Sequence, residues 1–470
     1  MTRLRTLSPA GFAALLACAV MLAWMLAVGT ATAEGVAAQG LAAGVAGMLA
    51  AAIWLLPAGR GGGNDLSVLV LVAAVLAVVL ALQVVPLPMD WLPDSAPRGN
   101  IARERALLDG GAATPALLPA SFAPGLTLKA LGLLSVVFLA AGAARLVPER
   151  LFRVFVESAL HALAIASGLV ALSQALGLQA VLPVWEYSNN NPSGFFANSN
   201  HLATLAVMSL MLAGYQLVIR WRAGRLRVRP LNILRAIAIV FAVLAVLLSG
   251  SLAGYGLAGG VAAWLAFVAM RRAPRIGVHH LFVAGAVAVL LAGWAYLLAA
   301  ALVPADALAG FPEIAGVNAR PDVWLRGLSL LRDNWVTGIG AGAFTVVDPF
   351  YVPEGRLGLE FTNELHNDVL SLPLEVGFVG MALLTPAIAY GLRHLWLLAD
   401  SGPSYDPMGS ASAQVVFLLP MMALLLHSGV DYPLRNPLMA FVFALCAACA
   451  LSNVRARNRI ERLRARTVNL

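Results

Sequence analysis

The chain has 470 residues, of which 60% are apolar and only 11% charged, with a mean hydropathy of +0.84; a soluble domain is nearer half apolar and a quarter charged. That balance excludes a water-soluble fold. A net charge of +8 would suit nucleic acid, but the basic residues are spread over short connections without aromatic platforms, as anchoring at an anionic leaflet requires, so no nucleic-acid partner is expected.

Apolar blocks of membrane-spanning length recur along the chain. They predict helices near 11–29, 36–57, 66–85, 126–146, 153–177, 199–219, 232–249, 252–270, 279–303, 371–396, 412–428 and 434–452. The expected fold is therefore all-α, a polytopic membrane protein of about twelve transmembrane helices forming one integral domain over 1–470. The short alternating segments of a membrane barrel are absent. Ala31-Thr32-Ala33 after the first block imitates a signal-cleavage site, but with eleven spans following it the block is read as an uncleaved first helix. With Met1 in the cytoplasm, the inner connections hold 22 of the 31 Lys and Arg residues, so the positive-inside rule puts both termini in the cytoplasm. The spans themselves read as nearly free of charge. Cys18, Cys446 and Cys449 lie within them as packing residues that can staple no outer loop. His161 reads as an interior histidine, and His279, His280 and His394 sit towards the inner side.

The cytoplasmic loops carry neither a Gly-rich phosphate loop nor paired acids, which argues against ATP chemistry. Two outer loops are long, 86–125 and 304–370, and the second concentrates the candidate chemistry. In Asn318-Ala319-Arg320-Pro321-Asp322-Val323-Trp324 a proline and an acid signal a helix start. A helix to about Asn334 would place Val323, Trp324, Leu328 and Leu331 on one apolar stripe, lying along the outer membrane surface. Arg320 would then stand at a helix N-terminus, where free N–H groups and a guanidinium both suit phosphate oxygens; an interfacial arginine paired with Asp322 or a lipid headgroup fits the same pattern. Gly338-Ile339-Gly340-Ala341-Gly342 reads as a tight turn. His366, between Asn363-Glu364-Leu365 and Asn367-Asp368 at the mouth of a span, is placed to act as a base or to belong to a helix-capping cluster. Similar clusters stand at Asn198-Ser199-Asn200-His201 and at His427-Ser428-Gly429-Val430-Asp431-Tyr432-Pro433-Leu434-Arg435. Three of the seven histidines thus gather on one face. With Asp368 and Asp431 they could hold a metal, although no pair has tight ligand spacing.

The ordered set of these segments resembles the O-antigen ligase and polymerase superfamily: Phe195-Phe196-Ala197-Asn198-Ser199-Asn200-His201, Arg320 with Trp324 and Asn334-Trp335-Val336-Thr337-Gly338, His366-Asn367-Asp368 with Glu375-Val376-Gly377, and His427-Ser428 through Pro433-Leu434-Arg435. The resemblance covers roughly 150–450, with 304–370 as the periplasmic loop. It implies a metal-independent, inverting glycosyltransferase of the bacterial inner membrane, with its site facing the periplasm and no cofactor. The glycan donor would be carried on undecaprenyl diphosphate, and the acceptor would be a sugar hydroxyl on lipid A core or a growing polysaccharide. His366 and Arg320 would be catalytic. Arg435, Arg326, His201, Asn198, Asn200, Trp324, Asn367, Asp368 and His427 would bind substrate. The chain departs from the pattern at Leu248-Ser249-Gly250-Ser251-Leu252, where Leu252 replaces an expected diphosphate-binding arginine; Arg435, opening the last span, is the expected substitute and Arg326 the next. The rival class is a non-enzymatic transporter or flippase of lipid-linked glycans, which would carry charges near the bilayer midplane.

Overall fold

The computed structural model describes residues 7–27, 35–57, 66–108, 117–178, 191–270, 312–352, 362–400 and 416–451. These form α1 (Pro9–Ala27), α2 (Gly35–Leu55), α3 (Ser67–Val84), β1 (Pro86–Pro88), α4 (Ala96–Leu108), β2 (Leu117–Pro119), α5 (Pro124–Leu133), α6 (Ser135–Leu146), α7 (Glu149–Ala175), α8 (Ser199–Arg222), α9 (Pro230–Ser249), α10 (Leu252–Met270), α11 (Pro312–Asp333), α12 (Phe344–Val347), α13 (Asp368–Asp400), α14 (Leu418–His427) and α15 (Pro437–Leu451), with short 3-10 turns at Met89–Trp91, Asp348–Tyr351 and Pro433–Arg435. Among the described residues eight stretches are long and apolar enough to cross a membrane: α1, α3, α5 continued by α6, α7, α8, α9, α10 and α13. The shorter apolar helices α2, α14 and α15 coincide with three more expected spans. The expected span at 279–303 lies outside the described residues.

The centre of the bundle is α8. Its N-cap is Asn198, whose side chain accepts from Asn200 N at 2.8 Å, and it packs against α7, α9, α10 and α14. A helix covered on all sides must be apolar all round, and α8 is buried at every position from His201 to Gly214. Close approach there needs small residues, as is usual where helices pack in lipid: a Cβ at Gly254 of α10 would lie 2.6 Å from Ala203 of α8.

The spans carry more charge than the sequence reading allows. Arg235, in the block expected to span 232–249, lies within α9 and is buried. Its Nε donates to Glu157 Oε1 of α7 at 2.6 Å, Nη1 to Asn232 Oδ1 at 2.6 Å and Nη2 to Gln216 Oε1 of α8 at 3.0 Å. His161 adds its Nδ1 to Ser209 Oγ at 2.9 Å and lies 3.6 Å from Glu157, so it is an interior histidine with partners. A buried ion pair survives in such surroundings only when its remaining donors and acceptors are also met, and here they tie three helices together.

The long connections fold over one end of the bundle. β1 and β2 form a two-stranded antiparallel sheet of three residues each, and α4 packs against it through Ala102, with Leu92 and Leu118. Phe122, Val323, Leu330, Ile339, Phe344, Leu365 and Leu374 make a second small core that joins both loops to α13. The long loop helix differs from the expectation. It begins at Pro312, nine residues earlier, so Arg320 lies in its third turn and not at its N-terminus. A proline inside a helix removes one N–H, and Pro321 does so here without ending α11. The buried stripe is also shifted: Val323, Gly327 and Leu330 face inward while Leu328 is exposed.

α13 is broken at Gly377, whose φ of 64° and ψ of −173° are non-helical. The broken ends are met by the turn 334–342. Ile339 N and Gly340 N donate to Leu374 O and Glu375 O, each at 3.0 Å, while Phe378 N and Val379 N donate to Trp335 O at 2.6 Å and Val336 O at 3.1 Å. Gln83 of α3 adds Nε2 bonds to Thr337 O and Glu375 O. Irregular backbone at membrane depth is tolerated only where protein satisfies it. The glycines at 338 and 340 are required here, since both have positive φ and a Cβ at Gly338 would collide with Glu375 O.

Candidate functional site

Four chain segments converge at the loop-bearing end: the start of α8, the third turn of α11, residues 362–368 leading into α13, and the turn 428–436 between α14 and α15. Asp431 is at their centre and is fully buried. Its Oδ1 lies 3.3 Å from His366 Nδ1, and its Oδ2 lies 4.0 Å from His201 Nε2 and 3.5 Å from Asn198 Nδ2. Tyr432 presents its ring edge-on between the two imidazoles, 4.9 Å from His366 and 5.0 Å from His201. Burial alone would raise the Asp431 pKa, but the His366 hydrogen bond, His201, His427 and Arg320 together hold it below the usual carboxylate range.

An ionised Asp431 can only accept, so His366 Nδ1 carries the hydrogen and the lone pair lies on Nε2. The His366 side chain is 28% exposed and so open to a substrate, while Asp431 and His201 are buried. Among the described residues His366 is also the one non-glycine with positive φ, 54°. Strain of this kind costs on the order of 1–3 kcal/mol and persists where surroundings enforce it; here they do so through Trp324, whose Nε1 donates to Leu365 O at 3.0 Å, and Asn367, whose Nδ2 donates to Gly429 O at 2.9 Å.

Arg320 Nη1 donates to Val430 O at 2.7 Å, immediately before Asp431, and no ion pair engages it among the described residues. The helix-terminus account of Arg320 fails, but its place beside the cluster does not depend on it. His427 faces Thr204 Oγ1 of α8 at 2.6 Å. Asn200 holds the first turn of α8, its carbonyl accepting from Thr204 Oγ1 at 2.7 Å. Among the described residues no three His, Cys, Asp or Glu side chains are grouped to hold a metal.

The two arginines expected to replace the missing cation are already engaged. Arg435 is ion-paired with Glu375, and lies 3.7 Å from Glu364 and 3.6 Å from Asp368. Its pKa is pushed up by these carboxylates despite burial. Arg326 forms a bidentate pair with Asp348, at 2.7 and 3.0 Å. Their charge is balanced within the protein, which removes the physical reason for assigning either to a diphosphate. Asp368 is likewise occupied, accepting from Ser428 Oγ at 2.9 Å and Leu434 N at 3.1 Å, and fastens the 428–436 turn to α13.

Sequence reading undervalued three residues. Asp431 stands there only as an acid beside histidines, although its position four residues after His427 was a usable signal. Glu364 and Tyr432 had none. Burial, with Glu375 and Asp368 nearby and Arg435 only partly offsetting them, raises the Glu364 pKa to about 7. A carboxyl raised in the folded state binds a proton that the unfolded chain releases, so stability falls as pH rises from about 4.5 to about 7. Glu364→Gln should therefore raise the thermal midpoint at pH 8 and change it little at pH 5. The gain is on the order of 3 kcal/mol at most, less because a fifth of the side chain is exposed. A gain equal at both pH values would contradict the assignment.

None of the curated proteins searched matches the chain. The family model described as O-antigen ligase matches residues 237–385, a stretch running from α9 into α13 that contains Arg320 and His366 but neither the His201 nor the His427–Arg435 segment. Over these residues the chain is similar to the O-antigen ligase superfamily that its motifs resemble.

Proposed function

We propose that the protein is a metal-independent, inverting glycosyltransferase that moves a glycan from undecaprenyl diphosphate to a sugar hydroxyl at the periplasmic face of the bacterial inner membrane. The observation that carries this reading is the Asp431–His366 pair, with Nε2 of a strained, accessible histidine free to take a proton. In the reaction, His366 Nε2 removes the proton from the acceptor hydroxyl as its oxygen attacks the anomeric carbon. The bond from that carbon to the diphosphate oxygen breaks on the opposite face, so the configuration inverts. Undecaprenyl diphosphate leaves with the electron pair, and Arg320 offsets its growing charge. Asp431 holds the imidazole in the required tautomer and stabilises the imidazolium.

Asn198, His201 and Tyr432 form the wall behind the pair, and Trp324 and Asn367 hold the His366 backbone in place. His427 and Asn200 steady the α8 end of that wall through Thr204. The periplasmic placement is supported by the loop charge bias, since the site occupies the end of the bundle opposite the described basic connections at 145–153 and 220–229. The acceptor is lipid A core or a growing polysaccharide.

One observation favours the rival reading as a flippase: the Glu157–Arg235 pair inside the bundle, the type of intramembrane charge that marks transport paths. Its full set of partners fits a helix clamp better. Deletion of the gene separates the two. Loss of transfer leaves completed lipid-linked glycan in the outer leaflet and surface lipopolysaccharide or polysaccharide without it; accumulation confined to the inner leaflet would establish the flippase instead.

A further inference from the structure

The charges of α13 bracket one uncharged run. Asp368 and Glu375 precede the break at Gly377 and the next charge along the helix is Arg393, so residues 376–392 carry none. As a helix this run is about 25 Å long, close to what crossing the hydrocarbon requires. The hydrocarbon edge at the loop-bearing end therefore falls at the break. α3 gives the same level independently. It is an uncharged apolar span ending at Val84, and Gln83 in its last turn donates to Thr337 O and Glu375 O beside the break. Trp335 and Phe378 stand at this level, their ring centroids 5.8 Å apart, and both are more than half exposed. Exposed aromatic rings at one depth are the usual mark of a membrane–water boundary.

From this boundary α11 climbs to the site. Arg320 reaches Val430 O next to Asp431, and Asp431 O accepts from Asp368 N, at the start of α13 and about 13 Å above the break. Between Arg320 and its last residue, Asp333, α11 is about 20 Å long. It therefore runs obliquely. Of the stripe expected to meet the membrane, Val323, Trp324 and Leu331 pack into the loop core, and only Leu328 remains outside. A second row, Leu325, Leu328, Arg332 and Trp335 at three- and four-residue spacing, is exposed among the described residues. Through the Trp335–Phe378 contact this row continues into Phe378, Val379 and Leu383, the exposed face of a span. On the oblique course Leu325 and Leu328 come to about 5–10 Å above the edge, the layer in which an amphipathic helix buries its apolar face.

We propose that this outward row of α11 is a membrane-docking face, with Leu325, Leu328 and Trp335 seated in the lipid headgroup layer at the loop-bearing end. Lipid is the occupant because the row is continuous with the lipid-facing side of α13. Arg332 is already paired with Asp333 and is assigned no lipid contact. The consequence for the site is its height: through α11 the bilayer holds Arg320 and the Asp431–His366 pair about 13 Å above the hydrocarbon. The docking face does not depend on what the site transfers.

The test places a nitroxide on the full chain in phosphatidylcholine–phosphatidylglycerol nanodiscs through Leu325→Cys, Leu328→Cys or Trp335→Cys, the three native cysteines being buried. Each label is read by its collisions with oxygen, which concentrates in lipid, and with a water-soluble nickel chelate. Glu104→Cys on α4 gives the reference for water and Leu383→Cys the reference for lipid. The oxygen-to-nickel ratio should rise in the order Glu104, Leu325, Leu328, Trp335, Leu383, with the three test positions several-fold above Glu104. All five positions are exposed and each is read separately, so one variant that fails to fold does not remove the test. A ratio at Leu325 and Leu328 equal to that at Glu104 would put the face in water and overturn the proposal. Exclusion of both reagents would also overturn it by placing protein on the face, and spin–spin broadening in discs holding two chains would identify that protein as a second copy.

Discussion

His366→Ala should lower glycan turnover by ~10² or more, the usual scale for losing a general base, while the protein elutes and melts as wild type. The side chain hydrogen-bonds Asp431 at 3.3 Å and is partly exposed, so its removal leaves the cores around Leu365 and α8 intact. Asp431→Asn offers an independent check. It keeps size but frees the tautomer, and an amide in place of the carboxylate no longer stabilises the imidazolium. Turnover should therefore fall. Near-normal transfer by folded His366→Ala would remove the histidine from the mechanism.

The second large effect concerns Arg320. Arg320→Ala should cut transfer at limiting donor by about ten- to a hundredfold, because the donors aimed at a departing diphosphate act in a partly dry site. Arg320→Lys should recover only part of this, since an ammonium lacks the planar fork. Arg435→Ala should behave differently. It leaves Glu364, Asp368 and Glu375 without their common cation, so the expected loss is in folded yield and thermal midpoint first. An Arg435→Ala protein that is stable and fails only in donor binding would return Arg435 to the diphosphate site.

Most spans were legible because a twenty-residue apolar block has few alternatives in a membrane protein. The clusters of polar residues at span ends were legible too, since Asn198–His201, Glu364–Asp368 and His427–Arg435 interrupt apolar sequence at matching depths. Pairing was not. Whether an arginine is available to a ligand depends on carboxylates far away in sequence, such as Asp348 for Arg326 or Glu375 for Arg435, and periodicity has no access to them. The same limit hid the partner of Arg235, which is Glu157 on α7. The start of α11 was misplaced because a proline and an acid form a start signal at Pro321 as well as at Pro312, and local sequence cannot rank them. The break in α13 was invisible for a further reason: its cause is the 334–342 turn packed against Gly377, a contact between separate segments.

The most direct measurement is made on the purified protein alone, in nanodiscs, with a lipid-linked glycan donor, an acceptor glycan and EDTA. The wild-type chain should form the glycosidic product with inverted anomeric configuration and release one undecaprenyl diphosphate for each glycan transferred, and His366→Ala should do neither at a comparable rate. Absence of product and of released carrier from a folded wild-type protein, or activity abolished by EDTA and restored by a divalent ion, would contradict the account.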